Sequence, residues 1–110
     1  MRLERMSCEA AKSYFAKDDT VIFAIGSIEN HGSHNVLGVD YIIPTHLLDL
    51  IEKQSDVLIA PPIPYGACDT LADFPGTVSL GQDVLCMVIN KIVEGLYNHG
   101  ARRFLFLNGH

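Results

Sequence analysis

Three short apolar segments alternate with three helical patterns, and this alternation limits the fold more than any other feature of the sequence. The apolar segments, rich in β-branched and aromatic residues, are 21–25, 57–60 and 103–107. The patterns with apolar residues at helical spacing are 7–17, 43–54 and 83–99. Strands connected by helices pair in parallel through right-handed crossovers. The order therefore predicts an α/β domain whose buried, mainly parallel sheet is covered by helices.

Length and charge exclude several classes of protein. A chain of 110 residues supports one domain at most, so we expect residues 1–110 to lie in a single domain. The formal charge of -5, without a cluster of Lys and Arg, argues against a nucleic-acid partner. The longest apolar stretches are far shorter than the roughly 20 residues of a membrane-spanning helix, so we expect no membrane partner.

The cysteines and the first residues of the chain indicate a cytoplasmic protein. Cys8, Cys68 and Cys86 are odd in number and widely spaced, unlike the cysteines of a disulfide framework or a structural zinc site. The first residues lack the apolar segment and the cleavage site of a signal peptide. We therefore expect a reducing, cytoplasmic location.

Two polar loops follow predicted strand ends, where α/β sheets bind ligands. One is the glycine-containing segment 27–40, and the other is 108–110. A further loop covers 61–82, and loops of this length inside a compact domain are usually functional or disordered. The first two loops are therefore the candidates for a functional site.

The segment 27–40 contains the residues best suited to chemistry. Glu29 and His31 are two residues apart, so in an extended chain their side chains lie on one face. With Asp40, just before the second predicted helix, they supply the mixed nitrogen and oxygen ligands of a Zn²⁺ or Mn²⁺ site. The alternative is a solvated polar loop, in which Asp40 only caps the helix and His34 only forms loop hydrogen bonds.

His110 joins this cluster if the third predicted strand lies beside the first. It follows Asn108-Gly109 at the end of that strand and would then point into the same crevice as the side chains of the 27–40 loop. The alternative is a frayed terminal residue or the start of a purification tag. The residues alone leave both interpretations open.

Other motifs that carry chemistry are absent. Ser27 and Ser33 do not lie in a G-x-S-x-G elbow, which argues against a serine hydrolase. No G-x-x-x-x-G-K-[ST] or G-x-G-x-x-G segment is present, so we expect no nucleotide-phosphate cradle. His46 and His99 fall within predicted helices, and we assign them structural roles.

The polar segments also occur in a recognisable order. The first is G-S-I-E-N-H-G-S-H at 26–34, followed by Asp40. The others are P-I-P-Y-G at 62–66, F-P-G-T-V-S-L at 74–80, H-G-A-R-R at 99–103 and N-G-H at 108–110. In order and register these segments resemble the E-x-H-G-x-H…D, P-x-x-Y-G, F-P-G-T-x-S-L, H-G-x-R-R and N-G-H motifs of the creatininase (creatinine amidohydrolase) family. The resemblance covers nearly the whole chain.

This resemblance implies a three-layer α/β/α sandwich and a metal-dependent hydrolase. By analogy with the family, Glu29 and His110 help to hold one divalent ion and His31 holds the other, with Asp40 bridging both. The two ions are expected to be Zn²⁺ or Mn²⁺, with Fe²⁺ as a further option. A water between two cations loses a proton near neutral pH and can attack a carbonyl carbon.

The resemblance further implies a small-molecule substrate with a cyclic amide or another small C–N bond, and a homo-oligomer, commonly a hexamer. Some relatives hydrolyse a ring ketone instead, which is an alternative. Asn35-Val36 stand where the family often has Leu-Pro. The family continues well beyond N-G-H, so we expect a truncated, N-terminal half whose catalytic residues lie in part elsewhere. The rival hypothesis is a catalytically incomplete metal-binding or structural fragment.

Overall fold

The computed structural model describes all residues, Met1–His110, and shows helices and strands in the predicted order. The strands are β1 (Thr20–Ile25), β2 (Leu58–Ile59) and β3 (Arg103–Asn108). The α-helices are α1 (Cys8–Phe15), α2 (Val39–Glu52) and α3 (Gln82–Asn98), and short 3-10 helices cover Leu3–Arg5 and Asp69–Leu71. None of the helices combines the length and the apolar character needed to cross a bilayer.

The three strands form one parallel sheet with β1 in the centre, in the order β2-β1-β3. At the carboxyl end of the sheet, Ile25 of β1 is paired with Asn108 of β3. The loops that leave these two strands therefore start side by side. This confirms the prediction of parallel strands in which the first and the third end close together.

The helices cover the two faces of the sheet and make three layers, as the family resemblance implies. On one face, α1 and α3 pack against Val21 and Phe23, and the predicted apolar stripe of α3 lies in this core. On the other face, the fully buried Leu48 of α2 packs against Ile22 and Ala24. Successive side chains of β1 thus alternate between two cores, which is why the segment is apolar at every position.

Within residues 1–110, β3 is exposed on its outer side, whereas β1 and β2 are buried. Leu105 is 53% exposed and Phe106 is 46% exposed, although both are apolar. β3 is an edge strand of this sheet, and no strand pairs with its outer side. Apolar composition predicted the strand correctly, and the exposure of its outer side is that of residues 1–110 alone.

The hydroxyl of Tyr14 joins α1 to the amino ends of β1 and β2. It donates a hydrogen bond to the carbonyl of Thr20 at 2.7 Å and accepts one from the N–H of Leu58 at 3.1 Å. In a Tyr14→Phe variant these two backbone groups lose their partner. We expect the free energy of unfolding to fall by about 1–3 kcal/mol, the cost of unpaired buried polar groups.

Tyr97→Phe is the matched control for that variant. Tyr97 is 51% exposed at the end of α3, and its ring lies under the guanidinium of Arg102, a contact that phenylalanine keeps. We expect its stability to stay within about 0.5 kcal/mol of the natural protein. Denaturant unfolding measures both variants, and equal stabilities would contradict the role assigned to the Tyr14 hydroxyl.

Candidate metal centre

Three segments converge at the carboxyl edge of the sheet and form the candidate site. The loop after β1 carries Glu29 and His31, the first turn of α2 carries Asp40, and the residues after β3 carry His110. The pairing of Ile25 with Asn108 places the first and last of these segments next to each other. All four residues predicted as metal ligands therefore lie at one place.

The start of α2 differs from the prediction and places Asp40 inside the helix. The helix begins at Val39 rather than at residue 43, and the N–H groups of Tyr41 and Ile42 donate to the carbonyl of Gly38. Asp40 is buried and lies in the first turn, where the positive end of the helix dipole favours a carboxylate. The helix starts about one turn earlier than predicted, so the prediction that Asp40 precedes the helix is wrong.

Pro44 lies in the interior of α2 rather than in its first turn. Proline has no N–H to donate four residues back, so the helix offers no partner to the Asp40 carbonyl. The backbone of Gly109 lies against this carbonyl, and a Cβ there would collide with the oxygen and lie 2.7 Å from Cγ of Pro44. The N–H of Gly109 donates to the carbonyl of Ile25 at 2.8 Å. Gly109 therefore lets the chain after β3 approach α2 closely enough to bring His110 to Asp40.

His31 is oriented by a hydrogen bond from its own loop. Its Nδ1 lies 3.0 Å from the carbonyl oxygen of Glu29, which can only accept, so Nδ1 carries the proton. Its Nε2 lies 3.0 Å from Oδ1 of Asp40. A histidine that donates from one nitrogen to a carbonyl presents the other nitrogen in the way that metal-binding histidines do.

His110 faces both carboxylates of the cluster. Its Nδ1 lies 3.1 Å from Oδ2 of Asp40 and 2.9 Å from Oε1 of Glu29. The side chain of Asn108 holds the backbone of His110 by donating to its carbonyl and accepting from its N–H. Each oxygen of Asp40 thus faces a different imidazole, so this carboxylate lies between His31 and His110.

Hydrogen bonds within the cluster change the pKa values of His31 and Asp40. The hydrogen bond to the Glu29 carbonyl raises the pKa of His31; burial opposes this effect, and the Asp40 carboxylate adds to it. Burial acts to raise the pKa of Asp40, but hydrogen bonds with Glu29 and His110 and the nearby His31 lower it below its ordinary value. Both shifts are in the direction that favours the charged form of each side chain, and a cation bound here would compete with protons for the imidazole.

The separations and donor types of the cluster fit metal ligands. Ligand atoms about 2.0–2.1 Å from a tetrahedral Zn²⁺ lie about 3.3 Å apart, and the contacts of the two imidazoles with the two carboxylates are 2.9–3.1 Å. The ligand atoms of Glu29, His31 and Asp40 all lie within 4.8 Å of one another. Imidazole nitrogens and carboxylate oxygens together suit zinc, manganese or iron.

A segment of the 61–82 loop supports the loop that carries Glu29 and His31. The N–H of Val78 donates to the carbonyl of Ile28 at 2.9 Å, and the N–H of Asn30 donates to Oγ1 of Thr77 at 3.0 Å. This contact lies directly beside Glu29 and His31 in sequence. Thr77 and Val78 belong to the F-P-G-T-V-S-L segment, whose residues alone indicated no function.

Residue-level reasoning missed three positions that shape the site. Ser27, Thr77 and Gly109 contact the ligand-bearing segments, yet their sequence signal is only their membership of the resembling motifs. His34 is exposed and is not part of the cluster.

Known proteins resemble this chain in both sequence and structure. A family model described as creatinine amidohydrolase matches residues 4–110. The chain is 32% identical over 100 residues to a creatinine amidohydrolase from Pseudomonas putida, covering 86% of this chain and 38% of that protein. It is 36% identical over 101 residues to a mycofactocin precursor peptide peptidase from Mycobacterium tuberculosis, covering 83% and 40%. It is 27% identical over 108 residues to a 3-dehydro-scyllo-inosose hydrolase from Thermotoga maritima, covering 97% and 35%.

Solved creatininase structures share the fold. One, named as a manganese creatininase, superposes with a TM-score of 0.89 at 29% identity, over 99% of this chain and 45% of that one. A mutant creatininase of the Zn-Zn type gives a TM-score of 0.87 at 29% identity with the same coverage. The chain therefore spans less than half the length of these relatives. The family match across residues 4–110 shows that the chain belongs to the creatininase (creatinine amidohydrolase) family.

Proposed function

We propose that the intact protein is a metal-dependent amidohydrolase and that Glu29, His31, Asp40 and His110 hold two divalent ions. The position of the Asp40 carboxylate carries this proposal. One of its oxygens lies 3.0 Å from Nε2 of His31 and the other lies 3.1 Å from Nδ1 of His110. A carboxylate placed in this way can give one oxygen to each of two neighbouring ions, an arrangement that clamps a reacting group between them.

The two ion positions differ in their protein ligands. His31 and Asp40 would hold one ion, and Glu29, Asp40 and His110 would hold the other. Relatives named for manganese and for a pair of zinc ions support a divalent metal in this family fold. The nitrogen and oxygen ligands accept Zn²⁺, Mn²⁺ or Fe²⁺, so metal availability decides which ion is bound.

The side chains of the cluster suit hydrolysis at a carbonyl carbon. A divalent ion supplies Lewis acidity toward a carbonyl oxygen and lowers the pKa of bound water. Glu29 and Asp40 place two carboxylates at the buried side of the site, where they balance the charge of the cations.

The names of the relatives support an amide or another small C–N bond as the substrate. The relatives at 32% and 36% identity are named as an amidohydrolase and a peptidase. The relative named for 3-dehydro-scyllo-inosose is 27% identical. We therefore propose hydrolysis of a cyclic amide or a short peptide bond, by a homo-oligomer such as the hexamer that the family resemblance implies.

Elemental analysis of the intact protein, purified without a His-tag, is expected to find up to two transition-metal ions per chain. Treatment with a chelator should abolish hydrolysis of small cyclic amides and short peptides, because the ions supply the Lewis acidity, and added Zn²⁺ or Mn²⁺ should restore it. Bound metal without turnover of any amide would instead identify a metal-binding protein without this activity. If the protein hydrolyses a ring ketone but no amide, the alternative activity, ring-ketone hydrolysis, is correct.

A further inference from the structure

The hydroxyl of Ser27 contacts Glu29, one of the proposed metal ligands, at the carboxylate oxygen that does not face His110. Its Oγ donates a hydrogen bond to Oε2 of Glu29 at 2.8 Å. Ser27 is 0% exposed and Glu29 is 4% exposed, so this contact is screened from solvent. Because Ser27 is not accessible, it is unsuited to act as a nucleophile, and its hydroxyl has to serve another purpose.

The two oxygens of Glu29 have different surroundings. Oε2 accepts the hydrogen bond from Ser27, whereas Oε1 lies 2.9 Å from Nδ1 of His110, on the side of the proposed ions. The backbone of Glu29 is held separately, because its N–H donates to the carbonyl of Leu37 and its own carbonyl accepts from His31. Ser27 therefore fixes one oxygen of the carboxylate, Oε2, whereas His110 and Asp40 contact the carboxylate on the side of the proposed ions.

The packing behind Ser27 leaves no room for a substitute donor. Gly66 lies so close that a Cβ there would be 2.6 Å from the carbonyl oxygen of Gly26 and 3.4 Å from Cβ of Ser27. The N–H of Gly26 also donates to the carbonyl of Ile63 at 2.8 Å, which closes this side of the strand end. Water cannot replace the serine hydroxyl in such a site unless a cavity of its own size opens.

We propose that Ser27 is a positioning residue of the metal centre. Its hydroxyl holds Oε2 of Glu29 away from the ions, so that Glu29 binds through Oε1 alone and leaves room for the other ligands. The inference rests on the proposed function, because it assumes that Glu29 is a metal ligand. Outer hydrogen bonds of this kind orient metal ligands, and their loss typically weakens metal binding by about 10–100-fold.

The test is a calorimetric titration in which Mn²⁺ alone is added to the metal-stripped intact protein. Ser27→Ala is expected to weaken Mn²⁺ binding by about 10–100-fold. In a Glu29→Ala background the same change should have no further effect, because Ser27 acts through the Glu29 carboxylate. If the role of Ser27 were only structural, Ser27→Ala would lower stability, and its effect would be the same with and without Glu29. Ser27→Cys, similar in size but a weak donor, should bind with intermediate affinity and replaces Ser27→Ala if that variant does not fold.

Ser79→Ala is the control, because Ser79 also donates to a carboxylate, Oδ1 of Asp69 at 2.6 Å, but not to a proposed ligand. Its Oγ also accepts from the N–H groups of Cys68 and Gly81, so the stability of this variant is measured beside its Mn²⁺ affinity. Its Mn²⁺ affinity should equal that of the natural protein. Equal affinities of the natural protein and both Ser27 variants would overturn the positioning role and leave the metal centre intact. The positioning role is also overturned if Ser27→Ala weakens binding equally with and without Glu29. A natural protein that binds no Mn²⁺ would overturn the proposed function and the role of Ser27 together.

Discussion

Asp40→Ala in the intact protein is expected to lose bound metal at both positions and to lose hydrolytic activity. The reason is that the two oxygens of Asp40 face two different imidazoles, so one substitution removes a ligand from each ion position. Removal of one electrostatic contact to a reacting group typically lowers the rate by roughly 10²–10³-fold. We expect kcat/KM to fall by at least this factor. Metal content by elemental analysis and steady-state kinetics measure the two effects.

Asp40→Asn separates bridging from simple loss of a ligand. Asparagine keeps the size of the side chain, but its amide nitrogen cannot bind a cation. The single oxygen of the asparagine side chain can bind only one of the two proposed ions, so we expect at most one ion per chain to remain tightly bound. Retention of two ions in both Asp40 variants would show that Asp40 does not bridge.

Asp49→Ala is the control on the same helix. Asp49 lies in α2 on the side away from the cluster, and its half-exposed carboxylate accepts from the guanidinium of Arg2. We expect full metal content and unchanged activity. The side chain of Arg2 is only 6% exposed, but it keeps its ion pair with Glu52, so the loss of stability should be about 1 kcal/mol.

Gly109→Ala is expected to disturb both the fold and the site. The added methyl group would collide with the carbonyl oxygen of Asp40 and approach Cγ of Pro44 to 2.7 Å, and both atoms belong to a packed helix. Overpacking of this kind typically costs about 1–3 kcal/mol of stability. Because the chain after β3 must move away from α2, His110 should also leave Asp40, and metal occupancy beside Glu29 should fall.

Gly95→Ala is the matched control for this substitution. Gly95 lies within α3, and an added Cβ there meets no atom within 4 Å. Replacing an unhindered helical glycine should stabilise the protein by about 0.4–1 kcal/mol. Thermal unfolding compares the two variants. If Gly109→Ala were as stable as Gly95→Ala and kept its metal, the close contact between Gly109 and α2 would not matter.

Two features of the site could be predicted from local sequence because they depend on local geometry. The spacing of Glu29 and His31 places their side chains on one side of an extended segment, and both point to Asp40 or His110 in the structure. The alternation of helices and strands likewise predicted a parallel sheet, whose carboxyl edge gathers the polar loops. The role of His110, however, depended on β3 lying beside β1, which no local pattern requires.

The sequence by itself determined the order of the elements, the apolar faces of β1 and α3 and the residue types of the candidate ligands. The tertiary structure decided the rest: the start of α2 at Val39, the contact of Gly109 with Asp40 and the hydrogen bond from Ser27 to Glu29. The physical reason is that periodicity records which face of an element is buried. Contacts between segments far apart in the chain arise only when the whole sheet and its helices pack together.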